Sequence, residues 1–237
     1  MTSAVGRADF LILCGGLGTR LRSVTGGVPK VMAEVQGEPF LDFLLRYLVK
    51  QGAVRVVLCA GYKAEAIAAH YKVKFSQLDL QLSVEQEPLG TGGALKNAAP
   101  FLEREHVFCL NGDCFTPVDY AGLLQAHLDK EALATLVGVR VEGNKDFGTI
   151  VSNDRGEIQA FKEKFETREV QHISAGIYCF NRELFARMPS GKFSIEYDFF
   201  PRMIADRFYC HKVTAPFIDI GTPERFAWAQ ENLMGML

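Results

Sequence analysis

Apolar residues recur along this chain in two rhythms. Ala8-Asp9-Phe10-Leu11-Ile12-Leu13 is a short run without helical period, as expected of a strand buried on both faces. Residues 39–51 instead space Phe40, Phe43, Leu44, Tyr47 and Leu48 at intervals of three, one, three and one, which predicts an amphipathic helix opened by proline and stopped near Gly52. A second apolar run follows at 54–59, a second helical stretch at 63–71, and an alternating third strand at 78–84. A glycine-rich segment then leads into a helix running to Ala99, and residues 106–110 form a fourth strand. Strands alternating with helices predict a Rossmann-like, doubly wound sheet with right-handed crossovers, the fourth strand lying beside the first.

The pattern changes afterwards. Residues 118–130 carry Leu123, Leu124 and Leu128 on one helical side, and 133–141 read as a strand. Two short runs, 147–151 and 157–161, flank the turn Asn153-Asp154-Arg155-Gly156, so a hairpin is expected and the sheet becomes mixed, though still mostly parallel. A strand at 173–180 and a helix carrying Phe226, Trp228 and Leu233 close the chain, with no internal repeat.

Composition narrows the classes. At 237 residues and 48% hydrophobic content the chain suits one α/β domain, 1–237, with a single good core. Net charge is -2 and no block of lysines or arginines occurs, so neither nucleic acid nor an anionic membrane is expected as a partner. Cys14, Cys59, Cys109 and Cys179 lie in apolar runs, and no C-x-x-C is present; reduced core thiols are expected rather than disulfides or zinc. Cys109, Cys114 and His106 fit no standard zinc spacing. There is no signal-like start and no stretch of eighteen apolar residues, so a cytoplasmic protein is expected.

The first strand opens into Cys14-Gly15-Gly16-Leu17-Gly18-Thr19-Arg20-Leu21, and Pro29-Lys30 follows. Glycines after a strand let backbone N–H groups converge on an anion that approaches without meeting a Cβ, although they also serve plain tight turns. The run is neither G-x-G-x-x-G nor a P-loop, which lacks its closing Lys-Ser/Thr here. It resembles the G-G-x-G-T-R-L…P-K signature of the sugar-1-phosphate nucleotidyltransferases, and the likeness extends over nearly the whole chain. Gln86-Glu87-Pro88-Leu89-Gly90-Thr91-Gly92-Gly93 resembles the segment that borders the nucleobase in that family. Asn111-Gly112-Asp113 matches the site of a magnesium ligand, and Asp219, between Ile218 and Ile220, matches the second. Glu163-Lys164 resembles an F-x-E-K segment that contacts sugar and phosphate, and Ile173-Ser174-Ala175-Gly176-Ile177-Tyr178 resembles I-N-x-G-I-Y with serine replacing asparagine. Phe193-Ser194-Ile195-Glu196-Tyr197-Asp198-Phe199-Phe200-Pro201 resembles a run of short guanylyltransferases for D-glycero-D-manno-heptose 1-phosphate.

What the resemblance implies is transfer of a nucleotidyl group, GMP from GTP, to a heptose 1-phosphate, giving GDP-heptose and pyrophosphate for a surface polysaccharide. Mannose 1-phosphate is the alternative acceptor, and glucose 1-phosphate with UTP or dTTP another. It assigns Arg20, Lys30 and Lys164 to catalysis. Nucleotide contacts go to Leu13, Gly15, Gly16, Gly18, Thr19, Gln86, Gly90, Thr91 and Asp113. Sugar-phosphate contacts go to Gly148, Glu163, Lys164, Ser174, Gly176 and Glu196, and Mg²⁺ to Asp113 and Asp219. About 1–140 would bind nucleotide and about 141–237 sugar phosphate; a homo-oligomer is left open. Two other classes compete. A glycosyltransferase should show Asp-x-Asp after the fourth strand, where this chain has one acid, and a non-catalytic nucleotide-sugar binder should have lost part of the catalytic set.

Overall fold

The structure is a computed structural model, and its described residues are 3–16, 18–21, 26–72, 74–143, 147–163 and 170–236. Strand β1 (Ala8–Leu13) leads through the glycine loop to a small ribbon, β2 (Glu34–Val35) and β3 (Glu38–Pro39), and to helix α1 (Phe40–Gln51). Then come β4 (Arg55–Ala60), α2 (Ala64–Tyr71), β5 (Asp79–Val84), α3 (Gly90–Asn97) and β6 (His106–Asn111). The later part comprises β7 (Cys114–Phe115), α4 (Tyr120–Asp129), β8 (Ala134–Glu142), β9 (Thr149–Ser152), β10 (Ile158–Lys162) and β11 (Val170–Asn181). Short α5 (Leu184–Arg187), β12 (Phe208–Val213), β13 (Ile218–Asp219) and α6 (Pro223–Asn232) complete it.

The sheet is mixed and mostly parallel, as expected from the sequence. Strand β1 lies between β4 and β6 and is parallel to both, with Leu13 level with Cys59 on one side and Asn111 on the other. Strand β5 extends the sheet beyond β4. On the opposite side β11 runs antiparallel to β6, β8 antiparallel to β11, and β12 parallel to β8. The hairpin β9–β10 joins β11 at Ile173.

Alternation along β1 explains the layers. Phe10 and Ile12 point into a core with the apolar faces of α1, α4 and α6, whereas Leu11 points into a second core with α3, α5 and the 193–203 segment. Helix α1 stops where the pattern said it would. Gly52 takes φ 91°, the left-handed conformation glycine adopts without Cβ strain, and Ala53 N–H closes the turn onto the Leu48 carbonyl at 2.9 Å. The cysteines are free thiols: Cys14, Cys59, Cys109, Cys179 and Cys210 are buried, and burial pushes Cys59 up to about 12. Among the described residues no helix is long and apolar enough to cross a membrane.

The sequence pattern did not single out β12, the two-residue strands β7 and β13, or the π-type turn at Ile195–Phe199. Strands of two residues carry no period to read. In the turn, Ser194 caps by accepting from Tyr197 N–H at 3.2 Å, as a serine before a helical segment can.

Candidate active site

Strands β7 and β13 pair antiparallel, with Cys114 opposite Asp219 and Phe115 opposite Ile218. Ile220 N–H adds a 3.0 Å bond to the Asp113 carbonyl. This ribbon brings together two aspartates from distant parts of the chain at the end of β6. Lys30 forms an ion pair with Asp113 Oδ2, and only 13% of the lysine side chain is exposed. Asp219 accepts from Gly221 N–H through Oδ1 and from Arg225 through Oδ2, the latter at 3.0 Å. Burial raises the Asp219 carboxyl above the usual range and the Asp113 charge raises it further, while Arg225 and Lys30 oppose both. Each carboxylate therefore rests against a cation. An all-oxygen pair of half-buried acids at one end of a sheet suits a hard divalent ion, for which one or two carboxylates suffice when phosphates and water complete the shell. Among the described residues no group of three His, Cys, Asp or Glu side chains forms a denser metal cage.

Beside these acids opens a cavity of about 530 Å³. Of the residues expected from the sequence, Arg20, Asp113, Gly148, Glu163, Ser174, Gly176, Glu196 and Asp219 line it. At its wall β11 changes register between Ser174 and Tyr178. Gly176 sits inside that irregularity at φ 68°, and a Cβ there would come within 2.6 Å of Asn111 Nδ2. Ser174 Oγ accepts the Gly176 N–H at 3.2 Å, so the shorter side chain is used within its own strand. Glu196 accepts from the buried Tyr178 hydroxyl, which fixes one of its oxygens. Its carboxyl is raised by burial, a shift that the tyrosine bond opposes.

The glycine loop adjoins the aspartates, and its Arg20 reaches the same cavity. Leu13 is half-buried and its carbonyl accepts from Gly112 N–H at 3.0 Å, tying the loop's start to Asn111-Gly112-Asp113. Gly16 is exposed and a Cβ there would meet nothing within 4 Å, leaving its backbone open to an approaching ligand. Gly18, at φ 57°, has the Lys30 side chain against it, since a Cβ would lie 3.1 Å from that of Lys30. Residues Thr19–Leu21 make one 3-10 turn that presents Arg20, which is exposed. Gly15 is filled from above: its Cβ would meet Glu85 Oε1 at 2.9 Å, and Gly61 leaves room for the same carboxylate.

Glu85 was not among the residues the sequence pointed to; Gln86 was. Gln86 is exposed on the bend after β5, whereas Glu85 lies over the ends of β1 and β4, its Oε2 accepting from Leu89 N–H at 3.2 Å. Partial burial raises the Glu85 carboxyl. The signal that could have found it is its place as the first residue after a strand in a parallel sheet, the edge at which ligands bind. Gly90 and Thr91 perform local work. Gly90, at φ 72°, would bring a Cβ within 2.6 Å of the Phe193 carbonyl, and the Thr91 hydroxyl accepts from Ile195 N–H at 2.9 Å. Together with Phe193 N–H to the Leu89 carbonyl at 3.0 Å, these contacts join the start of α3 to the segment that carries Glu196. Arg225 is a second group the sequence did not flag. Lys164 lies outside the described residues, and Thr19 is described only through its backbone.

Comparison with known proteins identifies the family of the chain. The family described as nucleotidyl transferase matches residues 10–234. A D-glycero-alpha-D-manno-heptose 1-phosphate guanylyltransferase of Aneurinibacillus thermoaerophilus is 39% identical over 95% of this chain and 98% of its own. A mannose-1-phosphate guanylyltransferase of Mycobacterium tuberculosis is 35% identical over 98% of this chain, which spans only 66% of that relative. Among solved structures, HddC from Yersinia pseudotuberculosis complexed with GMP-PN superposes with a TM-score of 0.85 at 35% identity, covering 95% of this chain and 99% of that one. The match over residues 10–234, with a relative at 39% identity covered almost from end to end, places this chain in the nucleotidyl transferase family.

Proposed function

We propose that this chain is a sugar-1-phosphate guanylyltransferase that joins GMP from GTP to D-glycero-α-D-manno-heptose 1-phosphate. A phosphate oxygen of the sugar 1-phosphate forms a bond to the α-phosphorus of GTP. The bond from that phosphorus to the bridging oxygen breaks, and pyrophosphate leaves with the electron pair. A phosphate monoester is largely dianionic at pH 7, its second pKa being about 6, so the nucleophile needs no general base. The task is to bring two polyanions together in line, and the protein's net charge of -2 gives no long-range help.

The observation that carries this reading is the convergence of Asp113, Asp219 and Lys30 beside a 530 Å³ cavity that Arg20 of the glycine loop also lines. The open backbone at Gly16, with Arg20 and Lys30, would hold the triphosphate. The cavity would take the sugar 1-phosphate, Glu196 meeting sugar hydroxyls and Glu163-Lys164 the sugar and its phosphate. A divalent cation, Mg²⁺, held by Asp113 and Asp219 would supply positive charge on the phosphates. The parts before and after about residue 140 then divide the substrates between them.

Guanine is supported by Glu85 together with the names of the relatives. Guanine offers N1–H and an exocyclic amine side by side, and an ionised carboxylate accepts both, whereas uracil and thymine offer one donor between two acceptors. Heptose over mannose follows the relative at 39% identity; mannose 1-phosphate stays the second reading because of the relative at 35%. Pyrophosphate release with four triphosphates against heptose, mannose and glucose 1-phosphates tests all of this. GTP with the heptose ester should be fastest; GTP as the poorest donor overturns the base assignment, and no release with any pair overturns the reaction.

A further inference from the structure

Arg225 has no part in the chemistry set out above, yet it is held with care beside it. Its guanidinium donates to Asp219 Oδ2 at 3.0 Å and, through Nε, to Thr222 Oγ1 at 3.4 Å. The same hydroxyl caps α6 by accepting Arg225 N–H at 3.3 Å, so one threonine fixes both the root and the neck of the side chain. The charged plane lies 5.0 Å from the centre of the Phe147 ring and borders the cavity. These contacts engage only two of the five donors in a planar fork whose shape matches a phosphate as well as a carboxylate.

The charges around the cavity give the fork a second use. Among the described lining residues, the acids Asp113, Glu163, Glu196 and Asp219 face the bases Arg20, Lys162 and Arg225. Lys30 already balances Asp113 and Arg225 balances Asp219, so a dianionic phosphate entering here meets bases that the two aspartates already engage. A divalent cation held by Asp113 and Asp219 would add positive charge there and would compete with Arg225 for Asp219, while the Phe147 ring beside the guanidinium would keep it at the cavity wall.

We propose that Arg225 alternates between two anions: it holds Asp219 while the metal is absent, and passes to the phosphate of the sugar 1-phosphate once a divalent cation takes Asp219. Metal and sugar phosphate then favour each other's binding, and the coupling is reciprocal. This rests on the transferase reading, but one arm of its test does not.

The test uses Mn²⁺ as probe, its binding to the whole, substrate-free protein followed by electron paramagnetic resonance. Arg225→Gln should bind Mn²⁺ about tenfold more tightly than wild type, the factor expected from removing one charge-assisted competitor, whereas Arg225→Lys should stay near wild type. Adding the sugar 1-phosphate that gives the fastest pyrophosphate release should tighten Mn²⁺ binding to wild type by about fivefold or more, and the effect should vanish in Arg225→Gln. The KM for sugar 1-phosphate should rise about tenfold in Arg225→Gln with the KM for GTP unchanged, and Arg225→Lys should recover part of the loss. Thermal melting identifies any variant that has merely lost its fold. Unchanged or weaker Mn²⁺ binding by folded Arg225→Gln, or coupling that survives in it, overturns the proposal. A wild type that turns over no sugar phosphate instead removes the transferase reading, while the Mn²⁺ arm still reports whether Arg225 guards Asp219.

Discussion

On one side of β6, the groups proposed to meet the nucleotide follow directly from the ends of parallel strands: the glycine loop after β1 and Glu85 after β5, with β4 between them. On the other side, the cavity wall is assembled from β10, an irregular β11, the turn at 195–199 and the short ribbon β7–β13. The first arrangement is local, each group fixed by the strand that precedes it. The second depends on contacts made across the chain, such as Asp219 set by its pairing with Cys114. A local site tolerates disturbance elsewhere; an assembled one fails when its joints loosen.

The joint between the two is Lys30, which comes from the first side and pairs with Asp113 beside Asp219. Lys30→Ala and Asp113→Ala should have the largest effects, each lowering turnover by a hundredfold or more, as for other removed electrostatic stabilisers. Pyrophosphate release measures this. Near-normal turnover by either variant would mean that the two sides do not meet in the reaction.

A pH titration tests the frame behind the joint. His127 of α4 is buried, its Nδ1 lies 2.9 Å from Thr135 of β8, and its ring meets that of His106 of β6 edge-on at 5.5 Å. Burial, and then the His106 charge, lower it to about 4 from 6.5. The unfolded chain therefore binds the proton more readily. Stability from a neutral His127 is intact above pH 6.5 and is lost as pH falls from there to about 4, by about 3 kcal/mol at most. Urea midpoints across that range should fall more steeply for wild type than for His127→Gln.

The contact between α3 and the 193–199 segment is a smaller joint. Gly90→Ala forces a left-handed alanine and drives its Cβ toward the Phe193 carbonyl, a loss of about 2 kcal/mol and roughly 4–8 °C in Tm for a chain of this size. If the assembled side is the fragile one, the KM for sugar 1-phosphate should rise in this variant while that for GTP moves less.

The same contrast explains what could be read from the chain beforehand. Strands β1, β4 and β6 are apolar runs buried on both faces, and α1 carries a clean helical period with a glycine stop, so the parallel core was legible. The pattern Gly15-Gly16, Lys30, Asp113 and Asp219 was recognisable as a motif, and eight expected residues do border one cavity. What one strand's sequence cannot state is its partner. The β7–β13 register, the pairing of β12 with β8 and the bulge at Gly176 are set by contacts distant in sequence, which neither period nor propensity encodes. Arg225 was invisible for the same reason, since a charged residue in the first turn of a helix reads as solvated until Asp219 and Phe147 are seen beside it.

The finest test of the local side concerns two neighbouring residues. Gln86 has the side chain that suits a base edge, but it is exposed on the bend; Glu85 has the position, its carboxylate lying where Gly15 and Gly61 lack a Cβ. Glu85→Gln keeps the shape and replaces one acceptor by a donor. A donor facing the guanine N1–H or its amine leaves an unpaired polar group, whereas the same amide suits the acceptor-donor-acceptor edge of uracil. The ratio of kcat/KM for GTP to that for UTP should therefore fall about tenfold, the cost of one mismatched hydrogen bond, with the KM for sugar 1-phosphate unmoved. Gln86→Ala should leave the ratio as it was. The reverse pattern would move base recognition from the buried end of β5 to the exposed bend, and the nucleotide would no longer be read at the strand ends.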